Sequence, residues 1–216
     1  MSTLTQIRTR VATILQDTGF GITSSATIDQ AINDAQRRLS EITKVFHTTA
    51  TFSSVSGTQE YDLASNYIAL YANSNTIKYT DSSSTVHYPK YIDFNTLFNN
   101  FPNLLTDTGT PSYFYLKEKK IGFYPTPDYN GSSNVVYRYF NHAATLSSGS
   151  TESDFRERWT RAIVLLTLAY VHEINERPEK RDEWMYLFEL EMNKASNLGD
   201  TIETDRNSSG IGYFGQ

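Results

Sequence analysis

The sequence predicts an α+β protein: a bundle of helices drawn from both ends of the chain, with an antiparallel β subdomain inserted between them. Three observations predict it. Residues 154–175, DFRERWTRAIVLLTLAYVHEIN, carry apolar side chains at helical spacing on one face and continue them onto the other. Narrower helical stripes precede residue 48 and follow residue 178. Between them the apolar period shortens, and tyrosine, phenylalanine and threonine dominate, which favours strands. The expected division is 1–48 and 146–198 for the bundle, 49–145 for the β-rich insert, and 199–216 for an extended tail.

Residues 154–175 are the element the others are expected to cover. Phe155, Trp159, Ala162, Ile163, Leu166, Ala169, Tyr170 and Ile174 share one face, and Val164, Leu165, Leu168 and Val171 fill the other. A helix apolar all round must be covered all round. Each large side chain here is worth roughly 1.5–3 kcal/mol when buried. The run is too short to cross a bilayer, which needs about 20 such residues.

From the start of the chain, Ser2 or Thr3 can cap a helix with apolar positions Leu4, Ile7, Val11, Ile14 and Leu15, stopped by Gly19 and Gly21. A second helix is expected from a Thr27 cap, with Ile28, Ala31, Ile32, Ala35, Leu39 and Ile42 as its stripe and Arg37, Arg38, Glu41 and Lys44 in solvent. From residue 49 onward, 51–55 and 59–63 flank a Ser-Gly turn and read as a hairpin. Further strands are expected at 67–71, 76–79 and 86–94, with residues 81–84 as a hairpin tip. A short helix over 94–101 is ended by Pro102. Strands at 113–116, 121–124 and 135–140 read as three antiparallel neighbours, the second ended by Pro125 and Pro127, which cannot donate to a ladder. After a polar linker and the long helix, Pro178 suits the first turn of a last helix to about residue 197, ended by Gly199. The segment DTIETDRNSSGIGYFGQ is too polar to fold alone.

Composition narrows the function. The 216-residue chain has a formal net charge of −5, which argues against a broad basic surface for nucleic acid. It has no cysteine, so disulfides and thiolate metal sites are excluded. Its start, MSTLTQIRTRV, lacks the order of a signal peptide. His47, His87, His142 and His172 lie on separate segments without metal-ligand spacing, and no GxSxG, P-loop or GxGxxG occurs. His172-Glu173 is the nearest approach to a catalytic pair, and a histidine at a helix end more often serves the helix dipole. Glu60 and Asp62 read as solvated strand residues. Exposed aromatics could stack on sugars, which keeps a carbohydrate-binding module as the alternative; periodicity assigns most of them to core or interface. No catalytic residue, cofactor or metal is assigned. The basic cluster Arg156, Arg158 and Arg161 can touch DNA, pair with Glu152, Asp154 and Glu157, or face an acidic neighbouring subunit.

The order of these segments resembles the head–tail connector (adaptor) proteins of tailed bacteriophages, short-tailed phage type. The features that carry it are the AINDAQRRL helix, Pro111-Ser112-Tyr113, Phe123-Tyr124-Pro125-Thr126-Pro127-Asp128, Tyr137-Arg138-Tyr139, and the acidic-aromatic opening of the helix at 152–171. The resemblance spans roughly residues 27–192. It implies a structural virion protein of the neck, assembled in the host cytoplasm, that forms a homo-oligomeric ring, usually dodecameric, under the portal protein. Such a ring extends the DNA channel, lets genomic DNA pass without specific binding, and attaches tail or nozzle proteins, with no enzymatic activity and no membrane contact. It also implies a portal contact in the tail, with Ile211, Tyr213 and Phe214 as candidates; by their charge, Arg156, Arg158 and Arg161 are the candidates for the contact between subunits. A ring subunit needs lateral and axial surfaces, so apolar residues beyond one small core are expected, although a compact monomer can bury the same residues.

Overall fold

The computed structural model describes residues 1–197 apart from 18, 72–74 and 105. Its fold is α+β. In chain order the elements are α1 (Leu4–Leu15), α2 (Ser25–Thr43), β1 (His47–Phe52), β2 (Glu60–Asp62), β3 (Tyr67–Leu70), β4 (Ile77–Thr80), β5 (Val86–His87) and β6 (Lys90–Tyr91). Then come α3 (Phe94–Asn100), β7 (Tyr113–Lys117), β8 (Lys120–Tyr124), β9 (Val135–Asn141), a 3₁₀ turn (Glu157–Trp159), α4 (Thr160–Ile174) and α5 (Pro178–Asn197). The chain forms two compact units, one from Met1–Phe46 with the chain from His142 onward, the other from His47–Asn141.

In the helical unit α4 is the axis. From Ala162 to Ala169 every side chain is buried, because α1 contributes Leu4, Ile7 and Val11, α2 contributes Ile28, Ile32, Ala35 and Leu39, and α5 contributes Phe188 to the same core. Helix α1 opens with a reciprocal cap: Thr3 Oγ1 accepts the Gln6 N–H at 3.3 Å, and Gln6 Oε1 accepts the Thr3 N–H at 2.9 Å. It ends at a left-handed Gln16, ahead of the glycines expected to stop it. The Asp17 carboxylate then gathers the amides of Gly21, Ile22 and Thr23 at 2.8–3.0 Å. The second helix begins earlier than expected, since Ser24, not Thr27, is the cap and accepts the Thr27 N–H at 3.1 Å. The long helix begins later than expected: the Phe155 amide donates to Ser153 Oγ and Asp154 Oδ2 accepts the Ala144 N–H at 2.7 Å. Such local side-chain bonds compete with helical ones.

The polar linker after β9 is sewn into this unit. Asn33 accepts the Leu146 N–H at 2.8 Å and donates to the Leu146 carbonyl at 3.2 Å, copying a strand pair. The Leu4 and Thr5 amides, free donors at the start of α1, bond to the carbonyls of Thr151 and Gly149. A Cβ at Gly149 would lie 2.5 Å from Thr5 Oγ1, so a side chain there would require Thr5 to shift.

In the β unit, β1, β9, β4 and β5 form one sheet with β3 also on β9, and β2, β8, β7 and β6 form the other. Both sheets feed one aromatic core, with Phe123 between Phe52, Tyr61 and Tyr79 at ring distances of 6.0–6.4 Å. The second face of the smaller sheet is covered by α3, whose Leu97 packs with Leu104, Tyr115 and Tyr124. Because β8 is covered on both faces, Ile121 to Tyr124 are all buried. Gly122 stands opposite Tyr115 in the register, and a Cβ there would fall 2.1 Å from the Tyr115 ring.

Three strand expectations are corrected. Residues 51–55 and 59–63 are not a hairpin: β1 pairs with β9 and β2 with β8. The chain crosses between sheets at the Ser-Gly turn, which lets Phe52 and Tyr61 stack at 4.7 Å inside the core. The stretch 113–140 is not one three-stranded meander, because after Pro125 the chain leaves β8 and its third strand, β9, joins the other sheet. Residues 86–94 are two short strands in different sheets. The second, β6, runs parallel to β7, since a crossover containing α3 connects them.

Candidate interaction surfaces

The three arginines singled out from the sequence lie together at the entry to α4. Arg156 precedes the 3₁₀ turn, Arg158 lies within it, and both are exposed. Partial burial, and next the charge of Arg156, lower the proton affinity of Arg158. Arg161 reaches across to α5, its Nε 3.5 Å from Glu191 Oε2. One of the three carboxylates expected to pair with this cluster, Glu157, accepts from Ser2 Oγ at 2.6 Å and from Arg10 at 3.2 Å. Those bonds, Ser2 first, hold its pKa below the usual carboxylate range.

A second surface was not legible in the sequence. Arg38 and Ile42 of α2, Leu166 and Tyr170 of α4, and Met185, Phe188 and Met192 of α5 line a groove of about 420 Å³. Ile42, expected in the buried stripe of α2, is 44% exposed there. Arg38 pairs with Glu41 at 3.1 Å on the rim, and Glu189 and Asn193 complete it. Elsewhere on α5, Tyr186 and Leu190 stand one turn apart and exposed. At one end of α4, Asn175 donates to Thr23 Oγ1 at 3.0 Å, bringing the loop after α1 to the α4–α5 turn, where Ile22 and Ile174 are exposed. The only sequence signal for these positions is an apolar residue inside a turn or at the margin of a stripe.

The β unit offers Tyr88, Tyr91 and Phe98 as exposed aromatics. Five tyrosines are used internally and offer no sugar platform: Tyr79, Tyr115, Tyr124, Tyr137 and Tyr139 are buried. Tyr115 donates to Glu60 Oε1 at 3.1 Å, so Glu60 is not simply a solvated strand residue. Burial, and then the Glu60 charge, push the Tyr115 phenol above its ordinary range. The turn between β7 and β8, Lys117 to Lys120, is an exposed basic tip with Asp62 opposite Lys120.

The histidines do not converge. His47 lies against the Tyr71 ring, His87 pairs with Asp81 at 2.8 Å, His142 is 4.0 Å from Glu41, and His172 is buried at the end of α4. Among the described residues no three histidines, aspartates or glutamates could jointly hold a metal, and no helix is long and apolar enough to cross a membrane. Ile211, Tyr213, Phe214 and the Gly199 stop lie outside the described residues.

A groove, exposed apolar side chains and a cluster of arginines are features that surfaces in contact with other macromolecules share. The chain belongs to the SU10 adaptor protein family, whose model matches residues 2–211. This is a bacteriophage adaptor family, in keeping with the resemblance carried by the residues themselves. A comparison with individually characterised proteins returns no significant match.

Proposed function

We propose that the protein is a structural adaptor of the virion neck whose copies form a ring, usually dodecameric, beneath the portal. The ring extends the DNA channel, passes genomic DNA without specific binding, and attaches tail or nozzle proteins. It needs no cofactor and catalyses nothing. The observation that carries this reading is the family match over residues 2–211. The surfaces support it: a ring subunit needs two different lateral faces, and the helical unit leaves apolar side chains open at the groove, along Tyr186 and Leu190, and at Ile22 with Ile174. The net charge of −5 gives phosphate a weak hold, as a channel that DNA slides through requires.

Arg156, Arg158 and Arg161 are the lateral contact in this reading, and Ile211, Tyr213 and Phe214 the contact with portal. Native mass measurement of the subunit mixed with its portal tests the whole: the expected species is a closed ring on portal, and monomer alone under those conditions would overturn the assignment. Arg158→Glu is expected to lower ring yield while leaving the subunit folded.

A further inference from the structure

We infer that the outer edge of β1 is the docking site for a tail protein, which adds an extended, uncharged strand to the five-stranded sheet. Arg138 of β9 donates its N–H to the Thr76 carbonyl and accepts from the Tyr71 N–H, both at 3.1 Å, so its backbone groups turn away from β1. Thr49 lies opposite Arg138. In an antiparallel pair the residue opposite such a position also turns its N–H and C=O outward, and the pattern repeats every second residue. Thr49 and Thr51 therefore each present a donor and an acceptor to the outer side, where no backbone partner stands among the described residues. Both are exposed.

The other edges are guarded. β2 is three residues long and carries Glu60 and Asp62. β5 and β6 have two residues each, with Pro89 between them. β3 has an irregular register on β9 between Tyr67 and Ala69. Short length, charge, proline and irregular pairing keep a sheet edge from recruiting a foreign strand. β1 has six residues in unbroken register, HTTATF, with no proline, carboxylate, lysine or arginine. An exposed edge of that kind is a template for strand addition.

The chemistry of the added strand follows from the two faces of β1. On the outer face, Thr49 and Thr51 favour uncharged, β-branched neighbours. On the inner face, Ala50 and Phe52 pack against the aromatic core yet stay half-buried, and Phe52 stacks on Tyr61 at 4.7 Å. The arriving strand lays a large apolar side chain beside Ala50 and closes that margin of the core. A second copy is not the occupant. Two β1 strands meet through the same edge only about a two-fold axis, which the rotation of a larger ring does not supply. The contact is also small. Six residues give an edge about 20 Å long on a sheet about 10 Å deep, on the order of 200 Å² for each partner, where a stable dimer needs about 800 Å². Such an edge captures a strand that other contacts already deliver. The adaptor reading, on which this inference rests, supplies those contacts. It assigns the lateral contact to Arg156, Arg158 and Arg161 and the portal contact to Ile211, Tyr213 and Phe214, all outside His47–Asn141, and leaves the β unit for tail attachment.

The test follows backbone hydrogen exchange in the full chain alone, in its ring on portal, and in that ring loaded with tail proteins purified from the same virion. The amides of Thr48, Ala50 and Phe52 point to β9 and are expected to be protected throughout. Those of Thr49 and Thr51 should exchange freely in the first two samples and slow by about tenfold or more in the third. Thr51→Pro removes an N–H that β9 does not use, and Thr49→Lys adds a charge of the kind that guards other edges, so both variants should fold and form the ring. Each is expected to weaken tail-protein binding about tenfold. Thr49 and Thr51 amides that remain fast in the loaded ring, or variants that bind tail protein as tightly as the unaltered chain, would overturn the inference. So would slowing in the chain alone, which would assign the edge to a second copy, or slowing in the ring before tail protein is added. Absence of the ring itself would overturn the adaptor reading, and this inference with it.

Discussion

In the helical unit the core is aliphatic and is assembled from segments far apart in the chain, with Asn33 bonded to Leu146 across 113 residues. In the β unit the core is aromatic and comes from the continuous stretch His47–Asn141. The two units also differ in how they close. The β unit begins and ends on paired strands, His47 opposite Phe140, so its entry and exit are neighbours. An insert whose ends meet in this way adds little loop-closure cost to the protein that hosts it. The helical unit has no such continuity and depends on the linker after β9, which Asn33, Ser2 and the first amides of α1 tie down. The difference teaches that the continuous unit carries its own closure, while the divided one borrows closure from hydrogen bonds to an irregular segment.

That contrast can be broken by single substitutions. Phe123→Ala should cost about 3–5 kcal/mol, since Phe123 is fully buried at the centre of the aromatic core. The loss of hydrogen-exchange protection should be confined to residues 47–141. Trp159→Ala should cost a similar ~3–5 kcal/mol, confined to the helical unit, because Trp159 is 4% exposed and packs edge-on to Phe155 at 6.4 Å. Protection lost in both units from either change would show that they do not carry separate cores, and a cost below 1 kcal/mol for Trp159 would place it at the margin.

Gly122→Ala sharpens the β side. The added methyl would meet the Tyr115 ring, held between Gly122 and α3, and a cost of about 1–3 kcal/mol is expected in chemical denaturation. Asn33→Ala sharpens the helical side: it leaves the Leu146 amide and carbonyl without their partner and should cost about 1–3 kcal/mol. If Asn33→Ala were neutral, the linker would not be what closes the helical unit.

The smallest effect is a pH dependence belonging to the helical unit. Burial, then the nearby charges of Arg177 and Lys180, hold the His172 imidazole below its ordinary value. The unfolded chain therefore takes up a proton below about pH 6.5 that the folded chain resists, and stability falls as pH drops through that value. Melting of the chain with His172→Leu should lose this part of the slope. An unchanged slope would assign it to other groups.

Several features were legible because they depend on near neighbours. The cap of α1, the buried stripe of α2 from Ile28 to Leu39, the all-round apolar α4 and the Pro178 start of α5 are read from spacing within one or two turns. The arginine cluster was legible for the same reason, as charges at positions 156, 158 and 161. The groove was not. Ile42 and Met185 look like any stripe residues, and only the arrangement of three helices decides that one is exposed and the other half-buried. Strand partners were equally hidden: β1 and β2 are close in sequence, yet their partners are β9 and β8.

The sequence by itself determined the α+β class, the helices of both chain ends and the strand-rich character of the middle, because periodicity and capping are local properties of the backbone. Tertiary structure alone decided which sheet each strand joined, how the linker was bound, and which apolar side chains stayed exposed. Those outcomes turn on the burial of Phe123 between two sheets and of α4 among three helices, and burial is a property of residues that meet in space from distant parts of the chain.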